Sequence, residues 1–405
     1  MAGTRGPRSS SALLERVVLG VFDGSAALTR PQLMEATGLS RPTVAAVVAA
    51  LVARGDLTEL AEPAATGTRG RPSLTYRRTA LAAPVALVRL THREPTRVSL
   101  VGDDGPGTAV DTGVSWTKPW AEWAPPIRAA LAELESAVPV PARRVVIAAP
   151  FPVREGHGAP ELHPRAAPHP ANQSASAPDW PAPHIADWLA HDPRPAVAEL
   201  LGRPVSLIND ANLAALGEAR YGAARGAHSV VHLSIRHGVG AGLVIGGTLV
   251  PGAHGMAGEI GHVQVADDGP YCLCGNRGCL VTQSFDPFKI DALIGRYGGA
   301  ADFRDIEGLV AHGDAVALRF FRDLGALLAK PLSTLAVMLD PDMVVIDAEL
   351  GRTVDPLIAG LKAELARRCS PQQADDLSVL RGELADAVGY GALAAANNAS
   401  AAPRA

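Results

Sequence analysis

The sequence predicts an α/β protein in two parts, a small helical head and a larger two-lobed body, and three observations lead there. The 405 residues exceed what one hydrophobic core usually organises. Residues 1–80 hold helix-spaced apolar positions and ten basic against six acidic side chains, leaving 27 against 35 for the remainder. That remainder alternates short apolar runs of strand length with helical stretches. A composition of 47% hydrophobic residues with 41 Gly and 33 Pro is that of a turn-rich globular chain rather than a disordered or fibrous one. No run reaches the roughly 18 uncharged apolar residues a membrane span needs. The opening MAGTRGPRSSSALLERVVLG has no signal-peptide core, so the expected location is cytoplasmic.

In the head, Leu13, Leu14, Val17, Val18 and Val21 fit one helix face. Leu33, Met34 and Ala36 fit a second, entered through Thr29 as cap, and Val44, Val47, Val48 and Leu51 a third. Gly38-Leu39-Ser40 between the last two is the turn of a helix-turn-helix: Gly38 can end one helix in the left-handed conformation, and Ser40 can cap the next, with Pro42 early in it. Ser40, Arg41 and Thr43 would then face base edges in the major groove of double-stranded DNA. Residues 55–60 and 73–76 read as a hairpin, the wing, whose tip carries Thr68-Arg69-Gly70-Arg71-Pro72. Arg69 and Arg71 suit either phosphate contact or insertion into a narrow minor groove. A purely structural three-helix packing motif is the competing reading of the same pattern.

Three of the four cysteines fall within eight residues, which in a reducing compartment points to a metal before disulfides. His262, Cys272, Cys274 and Cys279 form a four-ligand set for tetrahedral zinc, with Gly275 and Gly278 allowing tight turns. Four such ligands leave no open position, so the ion is expected to be structural. Free thiols beside an unrelated histidine are the alternative. Cys369 stands apart as a small core residue.

Further motifs resemble the family of repressors, open reading frames and sugar kinases, the ROK family. They are Val205–Glu218 with its Asn209-Asp210 pair, the glycine-rich turn Gly238-Val239-Gly240-Ala241-Gly242, Gly258-Glu259-Ile260-Gly261-His262 with the cysteines, and Ala387–Ala392. The resemblance spans most of residues 81–400, and a winged head before a Gly-Arg-Pro linker is similar to its repressor branch. It implies an actin-like (ribonuclease-H-like) two-lobed α/β body at 81–400, with a zinc loop at 259–282 behind a winged helix-turn-helix at 1–80. It implies sugar-binding roles for Asn209, Asp210, Glu259 and His262. By patterning, Val85–Leu90 and Val98–Val101 form a hairpin around Asp103–Gly107. Val145–Ala149, Val205–Ile208, Val230–Ile235, Ala241–Ile245 and Val344–Ile346 are buried strands.

Phosphoryl transfer needs a carboxylate base and a backbone cradle for nucleotide phosphates. Asp210 can serve as the base, although an Asn-Asp pair capping the next helix explains it equally. Glu259 has a similar alternative as a loop anchor. Family kinases carry an Asp followed by Gly-Gly-Thr in the first hairpin, whereas Val88-Arg89-Leu90-Thr91-His92-Arg93-Glu94 stands here without a glycine. Val239 also replaces a hydroxyl residue, so Asp210 reads as a vestige and the chain as a non-enzyme. Val281, where the family has Glu, and Phe151, where it has Gly, disfavour an ordinary hexose.

The Pro- and His-rich stretch 154–195 reads as a surface loop with a short helix near 185–189. Three functions follow as expectations: a repressor-type regulator with a carbohydrate effector, an active sugar kinase with an appended head, or a DNA-binding scaffold without effector. Reading paired half-sites favours a homodimer or homotetramer.

Overall fold

The computed structural model describes residues 14, 17–19, 21, 22, 27–53, 57–61, 74–78, 83–91, 95–102, 105–154, 192–235, 238–272, 274–284 and 303–400. Arg69, Arg71, residues 92–94 and most of the stretch 154–195 therefore lie outside the described residues. Among the described residues, no helix is long and apolar enough to cross a membrane.

In the head, β1 (Ala27–Thr29) runs into α1 (Arg30–Thr37). Thr29 starts this helix by a reciprocal cap: its hydroxyl accepts from the Gln32 N–H, and its own N–H donates to Gln32 Oε1 at 2.8 Å. Gly38 ends it at φ 67°, donating to the Met34 carbonyl. α2 (Arg41–Ala53) begins three residues later and buries Val44, Val47, Val48 and Leu51 against Leu33, Val18 and Phe22. β2 (Leu57–Ala61) and β3 (Leu74–Arg78) pair antiparallel, and β1 adds to the far edge of β3. Strand β1 is too short for its alternation to be legible; pairing with Thr75–Arg77 recruits it.

The body holds two sheets. The first is built from β4 (Val85–Arg89), β5 (Arg97–Gly102), β6 (Gly105–Pro106), β7 (Val110–Asp111), β8 (Val145–Ala149) and β9 (Val205–Asn209), with β8 parallel to β4 and β9. One correction concerns its hairpin: β4 and β5 are joined across residues 90–96, whereas 103–107 follows β5 and includes β6, which pairs back on it. Period-two alternation splits β4 between faces. Ala86 and Val88, with Leu90 just beyond the strand, meet Trp116 and the α3 helix (Trp120–Ser136), which brings Trp123 and Ile127. Val85 and Leu87 face the opposite way. Helix α4 (Arg194–Leu201) adds Val197 and Leu201 to the tryptophan side.

α5 (Asp210–Tyr221) follows β9 directly and leads to the second sheet, whose β10 (Ser229–Ile235), β11 (Val239–Ile245) and β12 (Thr248–Leu249) are antiparallel. The short α6 (Leu280–Ser284), α7 (Phe303–Ala311) and the 25-residue α8 (Ala315–Leu339) come next. Then β13 (Met343–Ile346), α9 (Val354–Arg368), α10 (Pro371–Asp376) and β14 (Ser378–Arg381) extend the sheet in parallel, in the order β12-β11-β10-β13-β14. α8 and α9 cover the face carrying Val231, Leu233, Val344 and Ile346.

The last described element is α11 (Ala387–Ser400), which pairs with α5 so closely that a side chain at Gly391 would meet the Leu213 carbonyl at 1.8 Å. This helix pair is shared: Leu213, Ala214 and Val388 pack on the first sheet, Ala215 and Ala394 on the second. The return crossing before α11 is fastened by Glu218, which is fully buried and accepts from the N–H groups of Ala223, Glu383 and Leu384. Burial pushes its carboxyl pKa up, and the three N–H donors oppose that.

A candidate cleft and metal centre

The two lobes meet where β9 ends. Asn209 caps α5, its side chain accepting from the Asn212 N–H at 3.1 Å and donating to the Phe151 carbonyl at 3.3 Å. Asp210 opens the helix, with Oδ1 accepting from the Ala211 N–H. The capping role of the Asn-Asp pair thus falls to Asn209. The Phe151 ring packs against Trp116 at 5.3 Å between centroids, tilted by 41°, and the residue is 9% exposed. Its bulk therefore enters the core of the first lobe, which removes the steric reason to expect that it narrows a sugar site.

From the second lobe, the loop through Gly255 abuts the backbone of Val153. Four residues further on, Glu259 precedes a short 3₁₀ turn, Ile260–His262, which ends in His262. The Glu259 carboxyl is pushed up to about 7, first by burial and then by the negative charge of Asp210. Two carboxyls from different lobes therefore lie close enough to repel, and Asn209, Asp210, Glu259 and His262 gather in one region. Val281 packs beside Gly261 at its edge.

His262 joins that region to the cysteine cluster. Its Nδ1 lies 3.4 Å from Cys272 Sγ, while Nε2 faces Glu259 Oε2 at 4.0 Å. Cys274 and Cys279 have sulfurs 3.6 Å apart, and the four ligand atoms lie within 4.8 Å of one another. Thiolates on a tetrahedral zinc at 2.3 Å stand roughly 3.8 Å apart, so the donor set fits such an ion. Burial lowers the pKa of His262 and pushes the thiols of Cys272 and Cys279 up. A divalent cation would reverse the thiol penalty. Gly275 and Gly278 adopt φ of 91° and 68° around the cluster, and Lys330 Nζ on α8 grips the Val265 carbonyl at 3.0 Å.

The other motifs fall differently. Val239, Gly240 and Gly242 belong to strand β11, correcting the expected glycine-rich turn. A side chain at Gly242 would meet Ala215 Cβ at 2.4 Å and the Ala211 carbonyl at 2.5 Å. These glycines let α5 lie against the sheet. In the first hairpin, Val88 and Leu90 are buried in the core, and Arg89 Nη2 pairs with Asp386 Oδ1 at 2.6 Å. Asp386 also accepts from the Gly389 N–H. No sequence signal marked this pair, since its members are 297 positions apart. In the head, Ser40 and Arg41 are exposed at the start of α2, and the Ser40 hydroxyl meets Thr43 Oγ1 at 2.8 Å.

A profile of the ROK family matches residues 177–398, more than half of the chain. The chain belongs to the ROK family. Among curated proteins it is 26% identical over 198 residues to a xylose repressor of Bacillus spizizenii, covering 49% of this chain and 51% of the repressor. It is 33% identical over 187 residues to a glucokinase of Halalkalibacterium halodurans, covering 42% of this chain and 57% of that enzyme. The matches span between about a third and little more than half of the length of these and other first-ranked curated relatives. The structure of a ROK family transcriptional regulator, a homolog of the E. coli MLC protein, superposes with a TM-score of 0.71 at 20% identity, over 96% of this chain and 97% of that one. The body of the chain accordingly has the actin-like α/β fold of ROK regulators and sugar kinases.

Proposed function

We propose that this ROK protein is a DNA-binding transcription regulator, a repressor of carbohydrate-related genes, whose body senses a sugar rather than phosphorylating it. The observation that carries the reading is the head: two helices joined through left-handed Gly38, with Ser40, Arg41 and Thr43 at the start of the second and a three-stranded sheet alongside. This arrangement supports a winged helix-turn-helix, in which α2 would enter the major groove and Arg69 and Arg71, lying in sequence between β2 and β3, would reach the backbone or minor groove. The whole-chain likeness to a ROK regulator supports the same reading at the level of fold.

Against phosphoryl transfer stand the buried side chains of Val88 and Leu90 and the ion-paired Arg89, where a phosphate cradle needs bare backbone. Asp210 remains as a vestigial base. Asn209, Asp210, Glu259 and His262 would bind effector hydroxyls. His262, Cys272, Cys274 and Cys279 would hold a structural zinc, leaving His262 Nε2 directed at Glu259 and the 3₁₀ turn fixed. The protein would act as a homodimer or homotetramer, matching the symmetry of a palindromic operator.

An appended-head sugar kinase is the second reading, favoured by the proximity of Asp210 and Glu259 and by the glucokinase likeness. A scaffold without effector is the third. The test is selection of bound genomic fragments followed by titration. The purified protein should bind a defined operator, Arg41→Ala should weaken it at least tenfold, and a sugar screen by thermal shift should find a stabilising ligand. ATP-dependent phosphorylation of any sugar, lost in Asp210→Asn, would establish the kinase instead.

A further inference from the structure

Arg30 opens α1 directly after β1 and is exposed. Its guanidinium lies over the ring of Tyr76 on β3, 5.3 Å from the centroid. Tyr76 is 1% exposed, and its buried hydroxyl lies beside the Arg30 side chain. Burial pushes the phenol pKa up, so the ring stays uncharged beneath the cation. The strand holds Tyr76 between Leu28 of β1 and Glu59 of β2. Although Glu59 is near, no carboxylate comes within ion-pair distance of Arg30 among the described residues. An arginine ordered by an aromatic face and lacking a counter-ion gives up little rotamer freedom when it meets an anion. The amides beside it are largely committed. Pro31 has no N–H, and the Gln32 N–H is given to Thr29 Oγ1 at 3.4 Å. The anion-binding capacity of this corner therefore rests in the guanidinium rather than in the helix end.

We infer that Arg30 binds a phosphate of the DNA backbone and clamps the duplex beside the groove that α2 reads. In helix-turn-helix docking the first helix of the motif crosses the backbone while the second enters the major groove, which brings the start of α1 to a phosphodiester. The planar guanidinium fork matches two phosphate oxygens at once. Such a contact carries no base information: it fixes the register of the head and adds affinity for every sequence alike. Arg30 and Arg41 thus divide the work, the first holding the backbone and the second facing base edges. Because Tyr76 belongs to β3, the same contact ties the helix pair to the strand that leads out of the wing. The inference rests on the regulator reading above and names one of its DNA contacts.

The test is fluorescence-anisotropy titration of the full-length, zinc-loaded chain across a salt series, against the selected operator fragment and a mixed-sequence duplex. Arg30→Ala should weaken both about tenfold and make the slope of log affinity against log salt shallower by about 0.9, the share of one phosphate. Arg30→Lys should keep the slope, because the charge remains. Replacing phosphates one at a time by neutral methylphosphonate should then find a position that weakens wild type and leaves Arg30→Ala unaffected. A merely structural role would lower affinity and melting temperature together with the salt slope unchanged, and that result overturns the inference. So does a loss confined to the operator, which would make Arg30 a reader of bases. Wild-type affinity in Arg30→Ala overturns it while leaving the regulator standing; a wild type that binds neither duplex removes the regulator reading itself.

Discussion

On the first lobe, the segment Val88–Leu90 buries both end residues around an arginine paired with Asp386; on the second, the chain from Glu259 to Cys279 concentrates a carboxyl, an imidazole and three thiols. Both segments belong to the body, yet of the two only the second gathers side chains that could hold a metal ion. The difference teaches that the two segments, the lips of the proposed site, can differ independently, because each lip is stabilised by its own core. The tryptophan cluster holds the first; α8 and the cysteine cluster hold the second.

The hardest blow to this comparison would fall on the cysteine side. Cys272→Ser or Cys274→Ser should empty the metal site and cost several kcal/mol of stability, since a structural zinc contributes directly to folding. Metal analysis and thermal unfolding check this, and unchanged metal content in both variants would refute the ligand set. Next in size is Gly242→Ala, which forces a methyl group against Ala215 and the Ala211 carbonyl and should cost about 1–3 kcal/mol. Chemical denaturation measures it; an unshifted midpoint would mean that the glycine serves a ligand rather than helix packing. Smallest is Arg89→Ala. Its ion pair is partly exposed, so the loss should stay under about 1 kcal/mol. ATP should raise the melting temperature of neither wild type nor this variant, and a nucleotide-dependent shift in the wild type would erase the contrast between the lips.

Much of this was legible along the chain. The α2 core of Val44, Val47, Val48 and Leu51 follows from helical spacing, and the left-handed turn at Gly38 from the residue that tolerates it. The His-Cys cluster was readable from one histidine and three cysteines at short spacing, because so short a stretch leaves their side chains little choice but to converge. Val239–Gly242 was misread, since glycines that admit a neighbouring helix look the same in sequence as glycines that admit a phosphate. The strand β1 was missed because three residues carry no period.

The sequence by itself determined local chemistry: which segments are helical or extended, where the chain turns, and that His262 and three cysteines share one short loop. Only the tertiary structure decided what meets across the chain. It set Glu218 under the returning backbone, Arg89 on Asp386, the Phe151 ring on Trp116 and the charge of Asp210 near Glu259. Partners separated by tens or hundreds of residues leave no periodic trace, because their proximity depends on how sheets and helices pack, and that packing is a property of the whole core rather than of any segment.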